Sequence, residues 1–361
     1  MPESKPMLHS RLAGINLRGV VAAVPANSED TDALAASLGR DMADKIAAAT
    51  GIRTRHLAPP GVTACDLGQA AARELLDGLG WTPESVDLLV VVTQTPDHPL
   101  PGNAPLLQHR LGLRNHCGTL DINSGCSGFV DGLWTAASLL AGSNGQRALL
   151  IVGDTTSQFV AEGDRNTRPL FGDAVAAIAL EGGAGDDIFI GVIPGVDGSG
   201  APYLNVLDGA ARKRLPGQAR FGSIFMDGPQ VFAFTLRQVP KNIAAALALV
   251  GWSADEVDHL ILHQANESMI RHLANKSGFT PQQMVLALAG FGNTSSASIP
   301  LAMASALAEP LTAASRPVQL LMSGFGVGWR WASAVWRSEA LQYCRKIEVA
   351  TPDDPQPGSA P

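Results

Sequence analysis

The 361-residue chain is poor in charge and poorer in cysteine. Only 16% of its residues are Asp, Glu, Lys or Arg, against 46% hydrophobic, enough apolar material for a large buried core in one or two domains. There is no basic excess. A formal charge of −7 argues against a nucleic-acid partner, though a local basic patch for an acidic partner remains compatible with it. There is also no long apolar run. Leu88-Leu89-Val90-Val91-Val92 has the length of a core strand, far below a membrane span. The start, Met1-Pro2-Glu3-Ser4-Lys5-Pro6, carries no apolar stretch of the kind a signal peptide needs. The four cysteines, Cys65, Cys117, Cys126 and Cys344, show no CxxC or Cys/His spacing, so no metal site is expected, and a reduced, cytoplasmic setting is. Cys65, Cys117 and Cys344 are expected to be small core or surface residues.

What the chain does contain is a repeat. Residues 80–92 read Gly-Trp-Thr-Pro-Glu-Ser-Val-Asp-Leu-Leu-Val-Val-Val, and residues 251–263 read Gly-Trp-Ser-Ala-Asp-Glu-Val-Asp-His-Leu-Ile-Leu-His. The same offset of 171 aligns Leu149-Leu150 with Leu320-Leu321 and Gly153 with Gly324. In each half a helix ends near Gly-Trp, a polar turn leads to a buried strand, and a second helix precedes another buried strand. Continuous apolar strands alternating with helices predict sheets covered on both faces. The expected fold is α/β, two related halves packed about a pseudo-twofold axis.

Helices are expected over 63–79, with Thr63 as N-cap, and over 127–141, 229–250 and 266–277. The halves are drawn at 10–183 and 229–338. Residues 184–228, rich in Gly, Asp and Arg, are expected to be an inserted connecting segment, and 345–361 a disordered tail.

Three polar residues stand out against this frame. Cys126 lies in Ser124-Gly125-Cys126-Ser127-Gly128-Phe129, between a strand-like run and a helical one. Glycines let the backbone turn there, and a helix N-terminus is expected to lower the thiol pKa and offer N–H groups to an oxyanion. A buried structural cysteine is the plainer alternative. His263 matches Val92 in the repeat, so an imidazole replaces an apolar residue at a strand end, where α/β sheets build sites. Asn293, in Gly292-Asn293-Thr294-Ser295-Ser296-Ala297-Ser298, reads alone as a helix cap. The offset, however, carries Cys126 to position 297, inside this loop, so the two loops are pseudo-symmetry mates. A thiol can take an acyl group from a thioester. A neutral imidazole and an amide can steady the enolate left when a malonyl thioester loses CO2, with no metal or organic cofactor.

These residues resemble the β-ketoacyl-acyl-carrier-protein synthase III family of the thiolase superfamily, over roughly residues 10 to 338. The likeness is carried by Thr50-Gly51-Ile52-Arg53, Ser124-Gly125-Cys126-Ser127-Gly128, Phe171-Gly172-Asp173-Ala174, Met226-Asp227-Gly228, His263-Gln264-Ala265-Asn266, Gly292-Asn293-Thr294-Ser295 and Gly324-Phe325-Gly326. The resemblance implies a five-layered α-β-α-β-α thiolase fold, a homodimer, and a cytoplasmic acyltransferase. Cys126 would be the acylated nucleophile, and His263 and Asn293 the groups that promote decarboxylation. The backbone N–H groups of Cys126 and Val327 would form the oxyanion hole. Asn266, Phe325 and Gly326 would line the pantetheine tunnel, and Arg271 and Lys276 would receive an acyl carrier protein. The family's Gly-Gly-Gly run here reads Gly326-Val327-Gly328. Lys45 and Phe159 stand where the family stacks the coenzyme A adenine, and Ala49 and Ser268 replace arginines. These departures favour an acyl group borne on a carrier protein over coenzyme A, and a lipid-modification, polyketide or surface-polysaccharide pathway over housekeeping chain initiation.

Other readings of the same triad remain. A papain-like protease matches the 137-residue Cys–His spacing but not the duplicated pattern or the protease signature. Acyl transfer to an oxygen or nitrogen nucleophile keeps the fold. So does an aldol condensation like that of HMG-CoA synthase, for which no carboxylic base is evident, and so does a non-catalytic partner subunit of a ketosynthase.

Overall fold

The computed structural model describes residues 7–161, 163–207, 211 and 222–350. Two sheets carry the architecture. The first has six strands in the order Tyr343–Val349, Asn16–Pro25, Ala174–Glu181, Arg147–Asp154, Leu88–Val92, Gly118–Ile122. The second has five, in the order Ser10–Ala13, Phe189–Val196, Arg330–Ser338, Val318–Gly326, His259–Leu262. Four consecutive strands of the first sheet are repeated in the second with the same sequence of pairings: antiparallel, antiparallel, parallel. The duplication legible at offset 171 is therefore a duplication of sheet topology.

Both faces of each sheet are covered, which is why the strands read as unbroken apolar runs. Side chains alternate across a strand, so Val90 and Val92 join one core cluster while Leu89 and Val91 join another. The central cluster takes Val20, Leu150 and Ile178 from the first sheet and Ile261, Leu320 and Trp336 from the second. Between them lie Phe129 and Leu133 of helix Gly128–Ala141 and Ile299 and Met303 of helix Ser298–Ala306. Helix Ala64–Leu79 covers the outer face of the first sheet. Helices Gly228–Val250 and Glu267–Lys276 cover the outer face of the second. The layers run α-β-α-β-α.

The repeated Gly-Trp is a helix stop. Gly80 and Gly251 take φ of 63° and 73°, which a side chain disfavours. The next N–H closes the last turn, Trp81 onto the Leu76 carbonyl at 2.9 Å and Trp252 onto Leu247 at 3.1 Å. At the other end of helix Ala64–Leu79, Thr63 caps with Asp66 in a reciprocal box.

Two boundaries differ from the sequence reading. Segment 184–228 is not wholly an insertion, because Phe189–Val196 is a core strand of the second sheet. Gly191, Pro194 and Gly195 dilute its apolar pattern. Leu204–Asn205 and Phe225–Met226 form a short antiparallel pair, while 208–210 and 212–221 lie outside the described residues. The tail drawn from 345 begins inside a strand: Tyr343–Val349 runs parallel to Asn16–Pro25, with Tyr343, Ile347 and Val349 packed against the outer cluster. Residues 351–361 lie outside the described residues. Among the described residues no helix is long and apolar enough to cross a membrane.

Candidate active site

Cys126 sits on the turn that enters helix Gly128–Ala141, where Gly128 N–H closes onto the Gly125 carbonyl at 2.6 Å. Ser124 and Ser127 both donate to Asp131 Oδ2, at 2.7 and 2.9 Å, which fixes the turn to the helix's first turn. The glycines are required by close packing. A Cβ on Gly128 would stand 2.8 Å from Val92 Cγ1, and one on Gly326 would stand 2.8 Å from both Cβ and Sγ of Cys126. The thiol is thus wedged against the end of strand Val318–Gly326.

The sulfur is buried, and burial together with the charge of Asp154 pushes its pKa up to about 12. Hydrogen bonds from the Val327 N–H, the Ser295 hydroxyl and the cysteine's own N–H pull the other way and are outweighed. The expected lowering by the helix N-terminus is therefore overturned, because desolvation of a fully enclosed thiolate exceeds what a helix end supplies. Alkylation of Cys126 by iodoacetamide, followed by peptide mapping, is expected to quicken tenfold per pH unit from pH 7 to 9, since thiolate is the minor form throughout. A plateau below pH 8 would contradict this.

His263 follows strand His259–Leu262 and continues its ladder through its N–H to the Ser323 carbonyl at 2.8 Å. Its ring is buried and edge-on to Phe325 at 5.6 Å. Burial lowers its pKa to about 3, so the ring is neutral at physiological pH. Nδ1 lies 2.7 Å from Ser298 Oγ. That hydroxyl already accepts from the Gln264 N–H at 3.3 Å, which turns its own proton towards Nδ1. The Ser295 backbone carbonyl pulls the pKa upward and is outweighed by burial. The Ser298 contact suits the tautomer with the proton on Nε2.

Asn293 is pinned through its backbone: its N–H donates to the Leu170 carbonyl at 2.8 Å and its carbonyl accepts from Gly172 N–H at 3.1 Å. A side chain on Gly172 would collide with the Phe291 carbonyl. Asp173 anchors that support. It accepts from the N–H groups of Ala58 and Ser157 at 2.7 and 2.9 Å and from the Ser157 hydroxyl. Burial raises its pKa to about 6. The Phe171-Gly172-Asp173 motif is thus scaffolding for the asparagine loop. Asn293 Oδ1 accepts from the Ser295 N–H at 3.0 Å, which leaves the amide's two N–H donors to offer a substrate.

Two residues that sequence reasoning left unassigned tie the triad together. Ser295 bears on all three members: its N–H donates to Asn293 Oδ1 at 3.0 Å, and its hydroxyl and carbonyl are among the groups that shift the pKa values of Cys126 and His263. Its φ of 50° is the only positive value at a non-glycine among the described residues, and nothing in the sequence announces it. Asp154, also buried, accepts from Gln94 N–H at 2.6 Å, Thr93 Oγ1 at 3.0 Å and Ser296 Oγ at 3.0 Å. It joins the first sheet to the Asn293 loop. Its only sequence signal is a charged residue ending an apolar strand.

One cavity of about 1200 Å³ is lined by Cys126, His263, Asn293, Asn266, Phe325, Gly326 and Val327. Asn266 also caps helix Glu267–Lys276, accepting from Met269 N–H at 3.1 Å, and donates to the Ala49 carbonyl at 3.3 Å. Arg271 and Lys276 lie outside the lining. Arg271 pairs with Glu267, and Lys276 Nζ donates to the Leu236 carbonyl at 3.1 Å. No cluster of three metal-ligating side chains occurs among the described residues.

A buried cysteine at a helix start, with an imidazole and an amide around one cavity between two duplicated α/β halves, defines a thiolase-fold acyltransferase. The comparisons agree. Profiles described as 3-oxoacyl-[acyl-carrier-protein] synthase III and its C-terminal part match residues 120–198 and 247–338. The chain is 35% identical over 330 residues to the β-ketoacyl-[acyl-carrier-protein] synthase III of a Nostoc species, covering 90% of this chain and 98% of the relative. It is 34% identical over 334 residues to that of Neisseria meningitidis serogroup A, covering 91% and 98%. A 3-oxoacyl-(acyl-carrier protein) synthase from Burkholderia xenovorans superposes with a TM-score of 0.90 at 38% identity, covering 95% of this chain and 99% of that one. The chain belongs to the β-ketoacyl-acyl-carrier-protein synthase III family.

Proposed function

We propose that the protein loads an acyl group on Cys126 and condenses it with a malonyl thioester, releasing CO2 and a 3-oxoacyl thioester. The reading rests above all on one cavity whose wall carries a buried thiol, a neutral imidazole and an amide fixed through its Oδ1 by the Ser295 N–H. In the first half-reaction Cys126 Sγ attacks the thioester carbonyl, and the departing sulfur takes up the proton that Cys126 gives away. The exchange is therefore neutral overall, and a protonated resting thiol is compatible with it. The N–H groups of Cys126 and Val327, both of which pull the thiol's pKa down, are the proposed oxyanion donors. In the second half-reaction the malonyl carboxylate leaves as CO2. The enolate oxygen is held by His263 Nε2–H and the Asn293 amide, the enolate carbon attacks the acyl carbon, and the Cys126 thiolate departs and takes a proton from water. Thiol, imidazole and amide supply these steps without a cofactor.

The partners proposed are malonyl and acyl thioesters on an acyl carrier protein, the carrier approaching beside Asn266 and the half-exposed Arg271. The relatives' names favour this condensation over transfer to an oxygen or nitrogen nucleophile. The four unpaired cysteines suit the cytoplasm. Purified protein given an acyl thioester and malonyl carrier protein is expected to release CO2 in step with 3-oxoacyl product. Ester or amide formation without CO2 would overturn the reading.

A homodimer is proposed at the first sheet's free edge. Among the described residues, strand Gly118–Ile122 pairs only with Leu88–Val92, and it is exposed over four of its five residues. Leu120 on it is 39% exposed and Leu100 nearby 83%. An unprotected edge strand is a template for a second copy. Sedimentation velocity is expected to give a dimer, and Leu120→Lys to shift it towards monomer. A monomeric wild type would remove the proposal.

A further inference from the structure

A two-stranded antiparallel ribbon, Ser28–Asp30 with Thr54–His56, stands apart from the two large sheets and against the Asn293 loop. Arg53 N–H donates to the Ala289 carbonyl at 2.9 Å, and the His56 carbonyl accepts from Asp173 N–H at 2.8 Å. The His56 ring stacks on Phe291 with centroids 5.6 Å apart. Between these anchors lies the Arg55 side chain, only 5% exposed. Its Nη1 donates to the carbonyls of Arg168 and Phe171, the latter at 3.2 Å. Those two carbonyls bracket that of Leu170, which accepts the Asn293 N–H. The stem of Arg55 packs on the loop as well: a Cβ on Gly292 would stand 2.9 Å from Arg55 Cγ and 2.7 Å from the Leu170 oxygen.

Glu29 faces Arg55 directly across the ribbon, and its carboxylate accepts from Arg55 Nη2. Arg168 Nη2 donates to the other Glu29 oxygen at 3.1 Å. A planar guanidinium can serve a carboxylate on one side and backbone carbonyls on the other, and the bonds to the carboxylate are charge-assisted. Segment 168–171, on which Asn293 hangs, is thereby gripped at both ends. The other two members of the triad are fixed elsewhere. Cys126 is held by the Asp131-bonded turn and by Gly326, and His263 by Ser323 and Ser298. We propose that Arg55, oriented by Glu29, is a positioning residue for Asn293 and acts on the enolate half of the reaction alone. The proposal rests on the role given above to the Asn293 amide.

The test compares CO2 release from malonyl pantetheine with the rate of Cys126 acylation by butyryl pantetheine, followed by intact-protein mass spectrometry. Arg55→Met is expected to lower kcat for CO2 release about tenfold or more with KM little changed, as a small misplacement of the amide would. Acylation should stay within about twofold of wild type, because nothing on the ribbon holds the sulfur. Arg55→Lys keeps the charge beside Glu29 without the fork, so it should recover part of the loss. In an Asn293→Ala background Arg55→Met should cost less than about twofold more, since the amide it places is gone. Should Arg55→Met fail to fold, as read by thermal unfolding, Glu29→Gln decides, with an expected loss of about threefold in CO2 release and acylation unchanged. CO2 release at the wild-type rate in whichever variant decides, acylation falling in step with it, or the full loss repeated without Asn293 would each overturn the proposal. Asn293→Ala leaving CO2 release unchanged is a different result, and it would bring down the reading of the amide itself and the proposal with it.

Discussion

Cys126→Ala is expected to lower condensation on the order of 10⁴-fold or more, because the covalent intermediate cannot form. Decarboxylation of the malonyl thioester should nevertheless persist in this variant. His263 and Asn293 are held by Ser298, Ser295 and the Leu170–Gly172 segment, and neither takes its position from the sulfur. His263→Ala and Asn293→Ala should show the converse. Each removes a donor from the enolate and should slow decarboxylation about 10²–10³-fold. Cys126 should still acquire the acyl group, because His263 is paired with Ser298 and, among the described residues, makes no hydrogen bond to the sulfur. Acyl adducts by mass spectrometry and CO2 release separate the two halves. If His263→Ala also abolished the adduct, the imidazole would be the base that takes the thiol proton, and the division of roles drawn here would be wrong.

Gly326→Ala is expected to cost about 10²-fold in acyl loading with the fold retained. The added methyl would lie 2.8 Å from both Cβ and Sγ of Cys126, closer than carbon and sulfur pack. The thiol is enclosed, so it must move against the Val327 N–H and Ser295, and a shift on the order of 1 Å at a reacting atom costs about two orders of magnitude. Decarboxylation should fall far less, since His263 and Asn293 do not border that methyl. Thermal unfolding serves as the control: an unchanged Tm with loading also unchanged would mean the cysteine turn yields freely.

Much of the fold was readable because it is encoded locally. Thr63 with Asp66, and Gly80 with Trp81, mark the ends of one helix through side-chain and backbone bonds only a few residues long. Leu88–Val92 and Val318–Gly326 read as buried strands because both their faces are covered. Phe189–Val196 escaped because Gly191, Pro194 and Gly195 interrupt the apolar run, and only pairing with Arg330–Ser338 makes it a strand. Tyr343–Val349 escaped for a similar reason, its order coming from Asn16–Pro25 more than three hundred residues earlier.

By itself the sequence determined the duplicated α/β frame, the chemical types at 126, 263 and 293, and the lack of charge that makes a large apolar interior possible. The tertiary structure alone decided the protonation of those groups and the partners that hold them. Burial from every side, with Asp154 nearby, keeps the thiol neutral against the pull of the helix end and keeps the imidazole neutral as well. Ser295 acquires its role only in the left-handed conformation that the packed loop imposes. Desolvation and backbone strain depend on everything that surrounds a residue, and most of those surroundings are far away along the chain.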